Sequence, residues 1–216
     1  IHILAGLVAS GVWAAGELQW STTIAPAGGG KINLRAYKRA TDGYDPYLDE
    51  VKTMPPPGRD AWAIYHEYGV DGWDGPTDFY WLDWRAPIEV SQTKVWRNVL
   101  AWAIPGYNGE PMRADVTSVA DPSRIYATLN LVYVPPGVDY TGPITWDLLN
   151  PYEFQLSLPV YVTDSPLTGY RFEVVVTGIP EPSSLLALAS GVGAVLAMRR
   201  RRRLLAPGLR ARRSPQ

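Results

Sequence analysis

Hydrophobic residues recur at every second position through much of the middle of the chain. From Arg124 to Val134 alternate residues are apolar or aromatic, and the stretch from Tyr170 to Thr177 repeats this pattern. Because successive side chains of a β-strand point to opposite faces of the sheet, the alternation predicts half-buried strands. Six further stretches are predicted as strands on the same grounds: 31–39, 61–68, 78–84, 94–103, 113–119 and 153–163.

The connections between these stretches favour a fold built from strands alone. They contain turn-forming sequences such as Pro105-Gly106 and Pro135-Pro136-Gly137, and no segment between residues 17 and 178 has the apolar stripe of a long amphipathic helix. About eight strands rich in Trp and Tyr predict one all-β domain over 17–178. We expect an antiparallel β-sandwich of immunoglobulin-like, fibronectin-like or jelly-roll type.

The N-terminal segment has the features of a secretory signal peptide. An apolar run over 3–12 is followed by small residues, among them Ala14 and Gly16, and then by polar sequence from Glu17. The sequence given has neither a Met nor a basic residue before the apolar run, so we expect residues 1–16 to be a truncated signal peptide. The alternative is a buried N-terminal strand or helix.

The C-terminal segment predicts a short membrane span. Residues 185–198 are all apolar or small, which is shorter than the roughly 20 residues of a comfortable transmembrane helix. A basic cluster follows the span, and the positive-inside rule assigns such a cluster to the cytoplasmic side. Its members are Arg199, Arg200, Arg201, Arg202 and Arg203.

Charge and composition exclude several classes of function. Eight of the 20 basic residues are arginines beyond Met198, whereas all 21 acidic residues precede them, so the first 198 residues carry a net charge of −9. An acidic body argues against nucleic-acid binding, which needs clustered positive charge on a folded face. The chain has no Cys and two His, so disulfides, thiolate metal sites, cysteine nucleophiles and histidine-pair metal sites are excluded.

Residues 179–203 combine Pro180-Glu181-Pro182, the short apolar span and the arginine cluster in that order. This arrangement resembles the PEP-CTERM sorting signal of Gram-negative bacteria. The resemblance implies that an exosortase, a membrane transpeptidase, recognises Pro180, Glu181 and Pro182 and removes the helix. The precursor would then be held transiently in the inner membrane, and the mature protein would reach the cell surface or the medium. The basic tail 204–216 departs from the pattern, and the alternative is an ordinary C-terminal anchor.

A proline-rich and acidic segment lies between the first predicted strands. Residues 41–50 and 55–58 resemble a loop of secreted bacterial β-sandwich modules, which implies an adhesive or surface domain. Asp42, Asp45 and Asp49 are candidate Ca²⁺ ligands, but their spacing is not that of an EF-hand loop. We therefore expect a solvated turn and neither a bound metal nor another cofactor.

One predicted strand, 78–84, is unusually aromatic. Strict alternation would place Phe79, Trp81 and Asp83 on one face and Tyr80, Leu82 and Trp84 on the other. Aromatic rings on an exposed face can stack against sugars, so Phe79, Tyr80, Trp81 and Trp84 are candidate glycan-binding residues. The alternative is that most of these rings pack in the core.

The same region holds the best candidates for catalysis. Glycosidases need two carboxyl groups at a fixed separation, and acidic residues are frequent here, with His66 beside them: Glu67, Asp71, Asp74, Asp78 and Asp83. Nearness in sequence does not establish that separation in a sheet, and we expect no enzyme. The sequence thus predicts an exported surface or matrix protein associated with exopolysaccharide. A displayed carbohydrate-binding module and a secreted glycan hydrolase are the alternatives.

Overall fold

A computed structural model describes residues 20–53, 56–109, 111–120, 124–149 and 153–180. These residues form eleven β-strands and one 3-10 helix, Pro166–Thr168, so the described part is all-β, as predicted. The strands are β1 (Trp20–Pro26), β2 (Ile32–Ala36), β3 (Glu50–Val51), β4 (Asp60–His66), β5 (Asp78–Arg85), β6 (Thr93–Ala103), β7 (Met112–Val119), β8 (Ile125–Tyr133), β9 (Thr145–Asp147), β10 (Glu153–Leu158) and β11 (Tyr170–Gly178).

The ends of the chain fall largely outside this description. The predicted signal peptide 1–16, Glu181, Pro182, the span 185–198, the arginine cluster 199–203 and the tail 204–216 lie outside the described residues. Among the residues that are described, no helix has the length and apolar character needed to cross a membrane.

Hydrogen bonds join the strands into one sheet. Its order is β10-β7-β1-β2-β5-β4-β6-β11-β8-β9, with β3 added beside β5. Every pairing among the described strands is antiparallel except that of β2 with β5, which run parallel. The prediction of a purely antiparallel arrangement is therefore wrong at this pair. A parallel pair needs a long connection, and the chain between β2 and β5, which contains β3 and β4, supplies it.

All eight predicted strands are present, and three strands were not predicted. Of these, β3 and β9 have two and three residues, too few to show alternation. In β1 a polar residue, Thr22, occupies a buried position, so the alternation of apolar and polar residues is interrupted. Its hydroxyl is 2.7 Å from that of Ser118. A hydrogen bond between two buried hydroxyls makes the burial of both tolerable.

The sheet curls around one aromatic core. Trp20 of β1 and Trp96 of β6 are separated in the sheet by three strands, yet their ring centroids lie 5.1 Å apart. Trp62 of β4 stacks on Phe172 of β11 at 5.2 Å, and all four side chains are at most 1% exposed. Burying a large apolar side chain contributes about 1.5–3 kcal/mol. These rings are therefore a main source of the stability of the domain.

A smaller apolar cluster lies on the other face of β4 and β6. It consists of Ala61, Ala63, Leu100 and Trp102, each at most 1% exposed. Both faces of these two strands are thus buried, which explains why nearly every residue of β4 is buried. The strand predicted over 61–68 is therefore buried on both faces instead of one, with only Tyr65 of β4 partly exposed.

A β-bulge interrupts the pairing of β6 with β11. Two residues of β6, Arg97 and Asn98, lie opposite the single residue Glu173, and Asn98 has φ of 55°. Because of this extra residue, Trp96 and Val99 both point into the core although they are three positions apart. Arg97 remains exposed, where it pairs with Asp71 and lies 3.6 Å from Glu173.

Candidate functional site

The end of β11 is the part of the described structure nearest to the predicted sorting motif. The Gly178 amide donates to the carbonyl of Gln92 at 2.9 Å, and its carbonyl accepts from Ser91 at 2.7 Å. One residue later, the Ile179 amide donates to the carbonyl of Arg124 at 2.8 Å. The chain divides into two compact units, 1–179 and 180–216. Pro180 is therefore the first residue after the unit that contains the sheet.

The four aromatic candidates of β5 do not form one platform. Tyr80 is fully buried in the core, where its hydroxyl donates to the carbonyl of Pro76 at 2.8 Å. Phe79 packs on Tyr65 at 5.2 Å on the other side of the sheet. The indole of Trp81 donates to the carbonyl of Val51 at 2.9 Å.

The predicted alternation of β5 is not kept. Tyr80 and Asp83 are both buried although they are three positions apart. The cause is an irregular pairing with β3, in which Glu50 lies opposite Leu82 and Val51 opposite Tyr80, so that Trp81 is skipped. After this irregularity the alternation is reversed, so that Asp83 points to the core and Leu82 and Trp84 point to the outer face.

Trp84 instead lines a groove on the outer face, formed together with β1 and β2. The parallel register places Asn33 beside Leu82 and Arg35 beside Trp84. The groove has a volume of about 220 Å³, and we call it the Arg35 groove. It is lined by Ser21, Thr23, Asn33, Arg35, Leu82 and Trp84.

Aromatic rings hold the guanidinium of Arg35 at this groove. Its central carbon lies 4.8 Å from the ring centroid of Trp84 and 5.8 Å from that of Tyr37. The two rings meet edge to face at 5.2 Å. The exposed side chain of Arg35 makes no hydrogen bond or ion pair to any residue within the described ranges. The stacking therefore orients a cation without neutralising it.

The polar side chains of the groove differ in how much of their hydrogen-bonding capacity is used. The hydroxyl of Thr23 donates to the side-chain oxygen of Asn33 at 2.6 Å. The amide nitrogen of Asn33 and the hydroxyl of Ser21 have no hydrogen-bond partner in the described part of the chain. Both groups are partly exposed and thus remain free to bind a ligand.

A second polar cluster lies on the core-facing side of the sheet, around Asp83. Nε2 of His66 is 2.9 Å from Oδ2 of this fully buried carboxyl group. Arg85 donates to both of its oxygens, from Nη2 at 3.2 Å and from Nε at 3.3 Å. Arg85 also donates to the carbonyl of Val95 at 2.9 Å and stacks on Trp96 at 5.0 Å. Each group of this cluster thus has several partners within the fold.

Burial and neighbouring charges shift the pKa values of two of the buried carboxyl groups, those of Asp83 and Asp49, in opposite directions. At Asp83 burial alone would raise the pKa, but the charge of Arg85 and the hydrogen bond from His66 outweigh it and lower the pKa to about 2. At Asp49 burial dominates and raises the pKa to about 7, although the backbone amides of Trp84 and Asp45 donate to it. Asp83 is therefore ionised at neutral pH, whereas Asp49 titrates near it.

The geometry around His66 is that of a packed residue. Its ring stacks on Trp73 with centroids 3.8 Å apart and planes inclined by 10°. The recess beside it has a volume of about 10 Å³, which is room for one water molecule at most.

The other acidic residues of this region also have contacts within the fold. Asp71 pairs with Arg97, Asp74 accepts the amide of Tyr44 at 2.7 Å, and Asp78 accepts that of Phe79 at 2.7 Å. The structure thus gives Asp71, Asp74, Asp78 and Asp83 partners that hold loops and strands.

The three aspartates of the proline-rich segment are also engaged with protein groups. Asp42 pairs with the buried Lys94. Asp45 accepts the amide of Thr41 at 2.6 Å, and its own amide donates to Asp49 at 2.7 Å. No group of three or more acidic or histidine side chains within the described residues is arranged to hold a metal ion. These contacts are those of a capped turn.

Sequence reasoning missed Asn33 and Arg35, the two β2 residues that complete the groove with Trp84. Their positions in a short alternating strand are ordinary, and only the parallel pairing with β5 brings them beside the indole. Comparison of the chain with protein-family models, with curated proteins and with solved structures finds no match.

Proposed function

We propose that this chain is an exported surface or extracellular-matrix protein that an exosortase processes at the sorting signal 179–203. In this proposal the acidic all-β domain 17–178 is the core of the mature product, and residues 179–203 are the sorting signal. The arginines 199–203 hold the precursor in the inner membrane until cleavage. Association with exopolysaccharide outside the cell follows from the same resemblance and is part of the proposal.

The observation that carries this proposal is the position at which the sheet ends. The backbone is hydrogen-bonded up to Ile179, and Pro180-Glu181-Pro182 begins at the next residue. Proline lacks an amide hydrogen and cannot extend a β-ladder by donating to it. A protease that cuts at or after this motif would therefore leave every described strand intact. A motif placed inside a strand would argue against processing.

The finer architecture is proposed on related grounds. We propose that the curled sheet packs as a β-sandwich, since side chains from both ends of the strand order meet in one core. We also propose that residues 185–198 form a short transmembrane helix and that residues 1–16 belong to an export signal, from their apolar sequences.

Replacing Pro180-Glu181-Pro182 by three alanines tests the processing. We expect the variant to accumulate as an uncleaved precursor in the inner membrane, because the proposed recognition sequence is gone while the span and the arginines remain. Immunoblots of fractionated cells, with and without the host's exosortase, measure this directly. The matched control is Ser183-Ser184→Ala-Ala, which changes the same segment and spares the motif.

Two outcomes would contradict the proposal. One is a triple-alanine variant that matures and leaves the membrane as the parent does. The other is normal maturation of the parent in cells that lack the exosortase. Release of the Ser183-Ser184 control at the parental level shows that the segment tolerates substitution.

A further inference from the structure

We propose that the Arg35 groove binds one acidic sugar residue, a uronic acid, within a glycan chain. This inference goes beyond the proposed processing and does not depend on it. It rests on the three kinds of group that the groove brings together: an unpaired guanidinium, free polar side chains and an apolar wall.

The guanidinium of Arg35 defines the charge of the ligand. It is held over Trp84 at 4.8 Å and beside Tyr37 at 5.8 Å, and it has no carboxylate partner among the residues described. Arginine carries its donors in a planar fork that matches the two oxygens of a carboxylate. Since the rings of Trp84 and Tyr37 already orient the guanidinium, little side-chain entropy is lost when an anion binds.

The remaining lining residues favour a sugar over a simple carboxylate. Ser21 and Asn33 line the groove, and each has a donor with no partner within the described residues, so both can donate to sugar hydroxyls. Leu82 and Trp84 supply apolar surface for the C–H groups of a pyranose ring. An alkyl carboxylate would use Arg35 and leave the polar pair unsatisfied.

The size of the groove limits the ligand to a small unit. Its volume of about 220 Å³ is below the roughly 300–1,000 Å³ of sites for drug-sized molecules. It lies on the outer face of the sheet, and each of its lining residues is at least partly exposed. One sugar residue of a longer chain fits this description.

The acidic body opposes an anionic ligand, and some of its acidic residues are near the groove: the Asp49 carboxyl accepts the Trp84 amide at 2.8 Å, and Glu50 lies opposite Leu82. The first 198 residues carry a net charge of −9. At physiological ionic strength the Debye length is about 8 Å, so distant charges are screened while a direct contact with Arg35 is not. Binding should therefore be measured at about 0.15 M salt.

The test is isothermal titration of the purified full chain in detergent with tetragalacturonate, with its methyl ester and with acetate. The ester keeps the sugar rings and removes the charges, whereas acetate keeps the charge and removes the ring. We expect tetragalacturonate to bind with Kd of about 1 mM or tighter. Arg35→Gln should weaken this binding about tenfold or more, since a charge-assisted hydrogen bond is lost. Arg113→Gln, an exposed arginine on β7, is the matched control and should bind as the parent does.

Each arm of the experiment can overturn the inference. Absence of binding by the parent, or equal binding by the parent and Arg35→Gln, would refute the site. Equal affinity for the acid and its methyl ester would refute the role of the charge. Acetate binding as tightly as tetragalacturonate would refute the sugar. Arg35 is exposed, so Arg35→Gln should fold, and an unchanged Tm verifies this.

Discussion

Arg35 and Arg85 lie one residue apart across the parallel pair of β2 and β5, yet their surroundings are opposite. Each stacks on a tryptophan, Arg35 on Trp84 at 4.8 Å and Arg85 on Trp96 at 5.0 Å. Arg85 points to the core-facing side of the sheet, where it donates to both oxygens of Asp83 and to a backbone carbonyl. Arg35 points outward and has aromatic contacts alone within the described part of the chain.

The two arginines thus differ in whether the fold neutralises their charge: that of Arg85 is paired with a buried carboxylate, and that of Arg35 is not. The donors of Arg85 neutralise a buried carboxylate, which the interior would otherwise not accept. Nothing in the described fold requires the charge of Arg35, although its stem and stacking bury part of Trp84. This contrast is the reason for placing the proposed ligand at Arg35 and not at Arg85.

The largest expected effect is on stability, from removal of the inner arginine. Arg85→Ala leaves the carboxylate of Asp83 buried without its main counter-charge, so we expect a loss of about 3–5 kcal/mol in the free energy of unfolding. Arg35→Ala should cost under about 1 kcal/mol, the value of an exposed cation–π contact. Urea denaturation of both variants measures the difference.

Arg85→Lys is the second variant, which allows the same comparison if Arg85→Ala does not fold. Lysine keeps the positive charge but not the planar fork, so its stability should lie between those of the parent and Arg85→Ala. Equal losses for the alanine variants of the two arginines would show that the inner and outer sites do not differ as described.

A smaller effect is expected from pH, through Asp49. Folded Asp49 keeps its proton up to about pH 7, whereas an unfolded aspartate releases it near pH 4. The folded state thus binds more protons between these values, and the stability from this group declines as pH rises through 7. Asp49→Asn, which stays neutral, should lose less stability than the parent between pH 5 and 8, as measured by urea denaturation at each pH.

Asp83 does not obscure this measurement. Its pKa is lowered to about 2, so its contribution is complete above about pH 4 and falls only as pH drops toward 2. The same pH dependence in the parent and in Asp49→Asn would mean that burial does not raise the pKa of Asp49.

The smallest expected effect is that of calcium on the segment 41–50. The carboxylates of Asp42, Asp45 and Asp49 already pair with a lysine or accept backbone amides. We therefore expect millimolar Ca²⁺ to leave the Tm unchanged, because a ligand that binds the folded state would raise it. A rise in the parent that is absent from Asp45→Ala would assign a metal site to this turn.

The strands were the most predictable part of the fold. Alternation describes the strands with one face against the core, such as β2, β7 and β11. It does not describe β4, whose two faces are both buried. It cannot reveal which strands pair, and the parallel contact of β2 with β5 depends on residues far apart in sequence. It also fails where a bulge changes the facing, as at Trp81 in β5 and Asn98 in β6.

The candidate groove was predictable only in part. Trp84 was marked by its aromatic neighbours, but the same reasoning included Tyr80, which the structure buries. Arg35 gave no signal, since an arginine in a strand is usually solvated. What makes it distinctive is the absence of a partner, and this depends on the tertiary arrangement of every nearby carboxylate.

The position of β11 has a consequence for the order in which the domain assembles. This strand is the last of the described strands in sequence, yet it lies between β6 and β8 in the interior of the sheet. A chain delivered N-terminus first, from a ribosome or through a membrane channel, exposes the edges of β6 and β8 until β11 emerges. Unpaired edges invite association with other chains. Assembly must therefore wait for the final strand, and the incomplete chain needs protection from its neighbours until that moment.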